Sequence, residues 1–100
     1  MKPFRIAIPD ADVADLHDRL DRTRWPDQVG EPWVYGTDID YLKTLCDYWR
    51  HGFDWRAREA ALNRFTHLQV PLGEHRVHCI HQRSTHAHAE PLLITHGWPG

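Results

Sequence analysis

One hundred residues, 41% hydrophobic and 26% charged, have the balance of a single soluble globular domain and argue against a disordered chain. A formal charge of −2 supplies no field to draw in nucleic acid or an anionic membrane. The longest apolar run, residues 91–95, is too short to cross a bilayer and no apolar stretch follows Lys2, so neither membrane anchor nor signal peptide is read and a cytoplasmic protein is expected.

Phe4, Ile6 and Ile8 alternate with Arg5 and Ala7, which predicts a short extended arm ending at Pro9. Asp10 then stands where an N-cap belongs. Val13, Leu16 and Leu20 recur at helical spacing and draw one apolar stripe over residues 10–23. Asp12, Asp15, Asp18, Arg19, Asp21 and Arg22 form the opposite face, read as solvated. Trp25-Pro26 stops this helix, because proline biases the residue before it away from helical geometry. Residues 27–36 hold Gly30, Pro32 and Gly36 and read as a loop, in which Trp33 and Tyr35 are expected to be pinned against something large.

Thr37 is placed at the start of a second helix, with Asp40 three positions on as a capping box. Ile39, Leu42, Leu45, Cys46 and Trp49 give its apolar stripe, and Gly52 is expected to end it in the left-handed conformation. Asp54 can cap a third, shorter helix carrying Trp55, Ala60, Ala61 and Leu62. Beyond residue 65 the period becomes two. Leu68, Val70 and Leu72 share a face, Gly73-Glu74 marks a turn, and Val77, Cys79 and His81 oppose Arg76, His78 and Ile80, the pattern of a hairpin. Cys46 and Cys79 lie in differently patterned segments and suit reduced core thiols better than a disulfide.

Residues 84–90 are a polar loop. Pro91-Leu92-Leu93-Ile94-Thr95 has the composition of a strand buried on both faces of a parallel sheet. Such a strand needs neighbours, so the residues are expected to belong to a longer α/β protein, cut off inside the loop that follows. That loop, His96-Gly97-Trp98-Pro99-Gly100, carries the chemistry. Glycine at 97 lets the backbone turn sharply and approach a ligand, and the Trp98 N–H can then point at an oxygen acquiring negative charge. Pro99 lacks an N–H and stiffens the turn. A donor held in place this way contributes on the order of 3 kcal/mol to a transition state.

The chain resembles the N-terminal region of microsomal-type epoxide hydrolases, a branch of the α/β-hydrolase superfamily, from about Pro3 to Gly100. The resemblance rests on Pro3-Phe4-x-Ile6, Arg22-Thr23-Arg24-Trp25-Pro26-Asp27, Tyr35-Gly36, Tyr41-Leu42, Tyr48-Trp49-Arg50, Gly52-Phe53-Asp54-Trp55-Arg56, Leu62-Asn63-Arg64-Phe65 and the closing His96-Gly97-Trp98-Pro99-Gly100. It implies an α/β fragment in two parts. Residues 1–66 would be a helical segment wrapping a hydrolase core and bracing it beside a lid. Residues 67–100 would start that core with the hairpin, the buried strand and the oxyanion loop. It further implies a cis Trp98–Pro99 peptide, with Trp98 N–H as half of the oxyanion hole and His96, Gly97 and Pro99 shaping the loop or pocket. The implied reaction converts an epoxide and water to a vicinal diol through an aspartyl ester. Its nucleophile, histidine base, orienting acid and lid tyrosines all come from beyond Gly100, and residues 1–100 alone are expected to be inactive. Tyr35, Tyr41 and Tyr48 match N-terminal positions, not lid positions. No cofactor and no metal is implied. The start at Pro3-Phe4, without the anchor some members carry, looks like a soluble, bacterial-style member.

Other readings of the same residues are weighed against these. His75, His78, His81, His86 and His88 with Cys79 suggest a metal centre, but on a strand 75, 79 and 81 share one face while 78 points away. Trp25, Trp33, Trp49 and Trp55 are read as packing anchors rather than ligand contacts. Asp54, Arg56 and Glu59 are read as a capped helix with solvated charges, and Asp10, Asp38 and Asp40 as unpaired carboxylates. The alternative to an enzyme segment is a non-catalytic remnant or interaction module. The isolated chain is expected to be poorly soluble, because its strand edges and aromatic rings lack cover.

Overall fold

The computed structural model of the chain describes residues 1–98. In chain order its elements are β1 (Lys2–Phe4), α1 (Asp10–Asp21), α2 (Ile39–His51), α3 (Trp55–Leu62), β2 (His67–Leu72) and β3 (His75–Ile80). They group into two compact units, residues 5–64 and residues 1–4 with 65 onward.

In the helical unit the first cap differs from expectation. Pro9, extended at φ −56 and ψ 145, occupies the N-cap, and Asp10 is the first helical residue with no side-chain cap bond. The Pro9 carbonyl accepts from the N–H groups of Asp12 and Val13 at 3.1 and 3.3 Å. The Asp10 carboxylate turns instead to the Arg56 guanidinium. At the head of α2 the cap is Asp38, one residue later than expected, its carboxylate accepting from the Tyr41 N–H at 2.8 Å. Gly52 ends α2 in a right-handed conformation, φ −107 and ψ −17, not a left-handed one. Its small size is used for contact: a Cβ there would sit 2.7 Å from the Tyr48 ring, while the Gly52 and Phe53 N–H groups both donate to the Tyr48 carbonyl. Asp54 caps α3 as expected, accepting from Ala57 N–H at 2.9 Å.

The half-buried face of α2 consists of Ile39, Leu42, Cys46 and Arg50. Leu45 and Trp49, expected in the same stripe, are exposed, as are Tyr41 and Tyr48. Arg50 clasps Asp21 with two bonds of 2.9 Å and so ties the C-terminal end of α1 to that of α2. Trp33 and Tyr35 are not pinned: they are 58% and 78% exposed, and the Trp33 ring tilts against Tyr41, ring centroids 5.1 Å apart. Trp33 also holds φ at +66, a left-handed value unusual for a bulky side chain.

The second unit is an antiparallel sheet ordered β1-β2-β3. The hairpin forms as read, Gly73 turning at φ +60 between β2 and β3. The pattern underestimated β1, whose Lys2, Pro3 and Phe4 pair with Gln69, Leu68 and His67. The buried strand expected at residues 91–95 is absent. Leu92, Leu93 and Ile94 are 82%, 89% and 79% exposed and form no ladder. A strand exists only through its neighbours' N–H and C=O groups, and none of the described residues supplies them there. Among the described residues no hydrophobic side chain is buried.

Candidate functional site

The loop expected to carry chemistry is described as far as Trp98. Its backbone bends at Trp98, whose ring is 98% exposed, and His96 Nδ1 lies 3.1 Å from the Gly97 carbonyl oxygen, where the ring nitrogen must donate. A Cβ on Gly97 would meet only open space. Pro99, the Trp98–Pro99 peptide and Gly100 lie outside the described residues. The Trp98 N–H therefore has its local chain in place, while the carboxylate nucleophile and base it would serve are not among the residues of this chain that match the resemblance.

The best-organised polar cluster is one the sequence reading dismissed as solvated charge. Residues 6–8 of the arm run extended beside α3, and three α3-side residues grip their backbone. The Asn63 amide takes the Ile6 N–H on Oδ1 at 2.9 Å and donates Nδ2–H to the Ile6 carbonyl at 2.8 Å. Glu59 accepts the Ile8 N–H at 2.7 Å, and Arg56 donates to the Ile8 carbonyl at 2.8 Å. Arg56 also bonds Glu59 at 2.9 Å and reaches Asp10 in the first turn of α1. The arrangement has a simple geometric origin. Positions 56, 59 and 63 fall on one helix face. Residues 6 and 8 of an extended chain present their N–H and C=O groups along one edge. Four helical residues rise about 6 Å and two extended ones about 6.7 Å, so the two rows run in step.

These bonds leave an electrostatic record. The Glu59 carboxyl is held below its ordinary value of 4.5, chiefly by the Ile8 N–H and further by Arg56. The Asp21 carboxyl is held below 3.8, chiefly by its bond to Arg50. Both arginines are pushed up by the same partners, Arg50 by Asp21 and Arg56 by Asp10 and Glu59.

Two other places bring apolar or polar side chains together. Ile8, Val13, Leu16, Trp49, Phe53 and Trp55 line an apolar cavity of about 470 Å³ in the helical unit, with Asp12 and His17 also in its wall. On the sheet, His67 is 4% exposed, and its Nδ1 lies 2.9 Å from His78 Nε2 with the rings 15° from parallel. The Phe4 ring tilts against His78 at 5.1 Å. His67 was missed because it sits at the junction where helical spacing gives way to period two. Among the described residues no group of three or more His, Cys, Asp or Glu side chains is placed to hold a metal ion. Both cysteines are free thiols.

The family model described as "Epoxide hydrolase N terminus" matches residues 1–100. Over 99 residues the chain is 46% identical to the protein named "Putative epoxide hydrolase" of Stigmatella aurantiaca (strain DW4/3-1), covering 98% of this chain and 22% of that one. It is 35% identical to "Epoxide hydrolase 1" of Oryctolagus cuniculus, covering 100% of this chain and 23% of the relative. Among solved structures, an enantioselective mutant of the epoxide hydrolase from Aspergillus niger superposes on 99% of this chain and 27% of its own, with a TM-score of 0.86 at 29% identity. The chain thus spans under a quarter of the length of these two curated relatives. Its helices and small antiparallel sheet are part of an α/β fold, and the chain belongs to the epoxide hydrolase N-terminus family.

Proposed function

We propose that these residues are the N-terminal bracing segment of an epoxide hydrolase that converts an epoxide and water to a vicinal diol. The observation that carries this reading is the match along the whole chain, in sequence and backbone, to the corresponding part of proteins named as epoxide hydrolases. In the reaction the resemblance implies, an aspartate oxygen attacks a ring carbon, the C–O bond opens, and the epoxide oxygen takes a proton from lid tyrosines. Water activated by a histidine–carboxylate pair then attacks the ester carbonyl, and collapse of the resulting oxyanion releases the diol and restores the aspartate. This chain's part is the Trp98 N–H aimed at that oxyanion, with His96, Gly97 and Pro99 shaping the turn.

The partners of the segment are accordingly the hydrolase core and lid of the same protein, and the substrate is a small epoxide. Among the described residues no helix is long and apolar enough to cross a membrane. The exposed apolar surfaces of both units, and the 470 Å³ apolar cavity, support a covering partner.

The test is a chimera. Residues 1–100 replace the matching segment of the Stigmatella aurantiaca relative, and styrene oxide hydrolysis is followed beside the parent, the parent lacking that segment, and residues 1–100 alone. Diol formation by parent and chimera only is expected. A folded, soluble chimera with no activity, or turnover by residues 1–100 alone, would sink the reading.

A further inference from the structure

We propose that Arg56, Glu59 and Asn63 form a backbone-reading peptide clamp, filled here by the chain's own arm and able to take the same arm from a second copy of the chain. The first support is what the clamp touches. Its contacts to the arm at Ile6 and Ile8 are all to backbone N–H and C=O groups, so they recognise an extended segment by conformation and direction, not by side chain.

The second support is completeness. Both polar backbone groups of Ile6 and both of Ile8 are met, as they would be along the edge of a sheet, with the arm antiparallel to α3. A helix face here does the work of a neighbouring strand. The third is that the arm lies at the surface. Arg5, Ala7 and Pro9 are exposed, and only Ile6, half-buried, and Ile8, 39% exposed at the wall of the apolar cavity, add side-chain contacts to the backbone bonds. The fourth is continuity. The same run of chain supplies Lys2–Phe4 as an exposed edge strand on β2, so backbone hydrogen bonds hold residues 2–4 as well as Ile6 and Ile8. All of its partners lie at 56–69, and a second copy offers an identical set. Exchange of one such element between copies is a low-cost route to a dimer.

The test keeps the full chain and silences its arm by Ile6→Pro and Ile8→Pro, which remove the two N–H donors. The probe is a fluorescent peptide with the sequence of residues 1–12, and anisotropy reads its binding. Saturable binding is expected, weakened about tenfold or more by N-methylation at Ile8 or by adding Asn63→Ala to the chain, the scale of one unmade hydrogen bond. Peptide changes Ile6→Val and Ile8→Leu should leave affinity within about twofold, since only backbone is read. No saturable binding, or equal binding of the N-methylated peptide, overturns the proposal. Should the double-proline chain fail to fold, hydrogen exchange on the unsubstituted chain decides. Asn63→Ala must then speed exchange at Ile6 and Ile8 together while Gln69 and Val77 keep their protection. Unchanged exchange at Ile6 would equally overturn the proposal.

Discussion

Asp21 and Glu59 are carboxylates whose hydrogen-bonded partners couple their charge to folding. Each is held below its ordinary value by a hydrogen-bonded partner, Arg50 for Asp21 and the Ile8 N–H for Glu59. A depressed folded-state value means that the unfolded chain binds protons first as pH falls. The stabilisation is therefore complete above the ordinary values of 3.8 and 4.5 and is lost as pH drops through the lower folded ones. Urea midpoints measured from pH 6 down to 2 should fall only in that acid range. Asp21→Asn should flatten the acid limb and lower the plateau slightly, because the pair is exposed and screened by salt. A plateau that starts to fall near pH 6 in the parent chain would contradict the assignment. Gly73 carries a different constraint. At φ +60 any side chain is strained although a Cβ would meet nothing, so Gly73→Ala should cost about 1–2 kcal/mol through backbone alone. Gly52 inverts that logic: its φ is ordinary and its surroundings are tight.

At the scale of elements, the helices depend on local signals that stand in the sequence, and two of them are caps of similar design. Asp38 and Asp54 each accept from an N–H three residues on, at 2.8 and 2.9 Å. Replacing either by alanine should cost about 1 kcal/mol, which in a chain of this size lowers the midpoint of thermal unfolding by roughly 4–8 °C. Asp10→Ala separates capping from clamping. It removes no cap bond, since Pro9 occupies that position, but it takes one of the three groups that hold the Arg56 guanidinium. These elements also show what was legible in the sequence. Asp54, Gly73 and the alternation from Leu68 to Cys79 specify themselves within a few residues, and α3 and the hairpin stand where they were read. The Asp10 and Thr37 caps missed by a residue because several acidic or hydroxyl side chains compete at each helix start, and tertiary partners choose among them. Arg56 and Glu59 read as solvated charge, and Asn63 only as part of a family motif, because their partners are backbone groups some fifty residues away, which no periodicity reveals. The spacing of 56, 59 and 63 on one helix face was the signal available; Arg56 and Asn63 lie in motifs that carry the resemblance, and Glu59 lies between them.

At the scale of the whole molecule, the family is shown by a match along residues 1–100, while the site the resemblance points to is only begun in these residues. The Trp98 N–H and the His96 ring stand in the described chain, but the apolar segment leading to them has, among the described residues, none of the neighbours that would make it a buried strand. The contrast between composition and burial has a physical consequence. Hydrophobic residues make up 41% of the chain, yet no hydrophobic side chain among the described residues is buried. Folding stability comes mostly from apolar burial, so each unit has to hold together through hydrogen bonds, caps and half-buried stripes. Leu92, Leu93 and Ile94 present a continuous apolar run at 79–89% exposure, and β3 is an edge strand. A run of that kind beside an open edge invites pairing between chains. Isolated residues 1–100 should therefore bind an apolar dye and self-associate at micromolar concentration, and a Leu93→Lys substitution should raise the soluble fraction without altering the helical signal. In the chimera with the Stigmatella aurantiaca relative the same substitution should do the opposite, lowering yield and activity, because there the run would be enclosed. Light scattering and dye fluorescence on the isolated chain, with activity and solubility on the chimera, measure both arms. A chain that stays monomeric and binds no dye would show that these residues need no cover, and tolerance of lysine at 93 in an active chimera would show that the run is not enclosed.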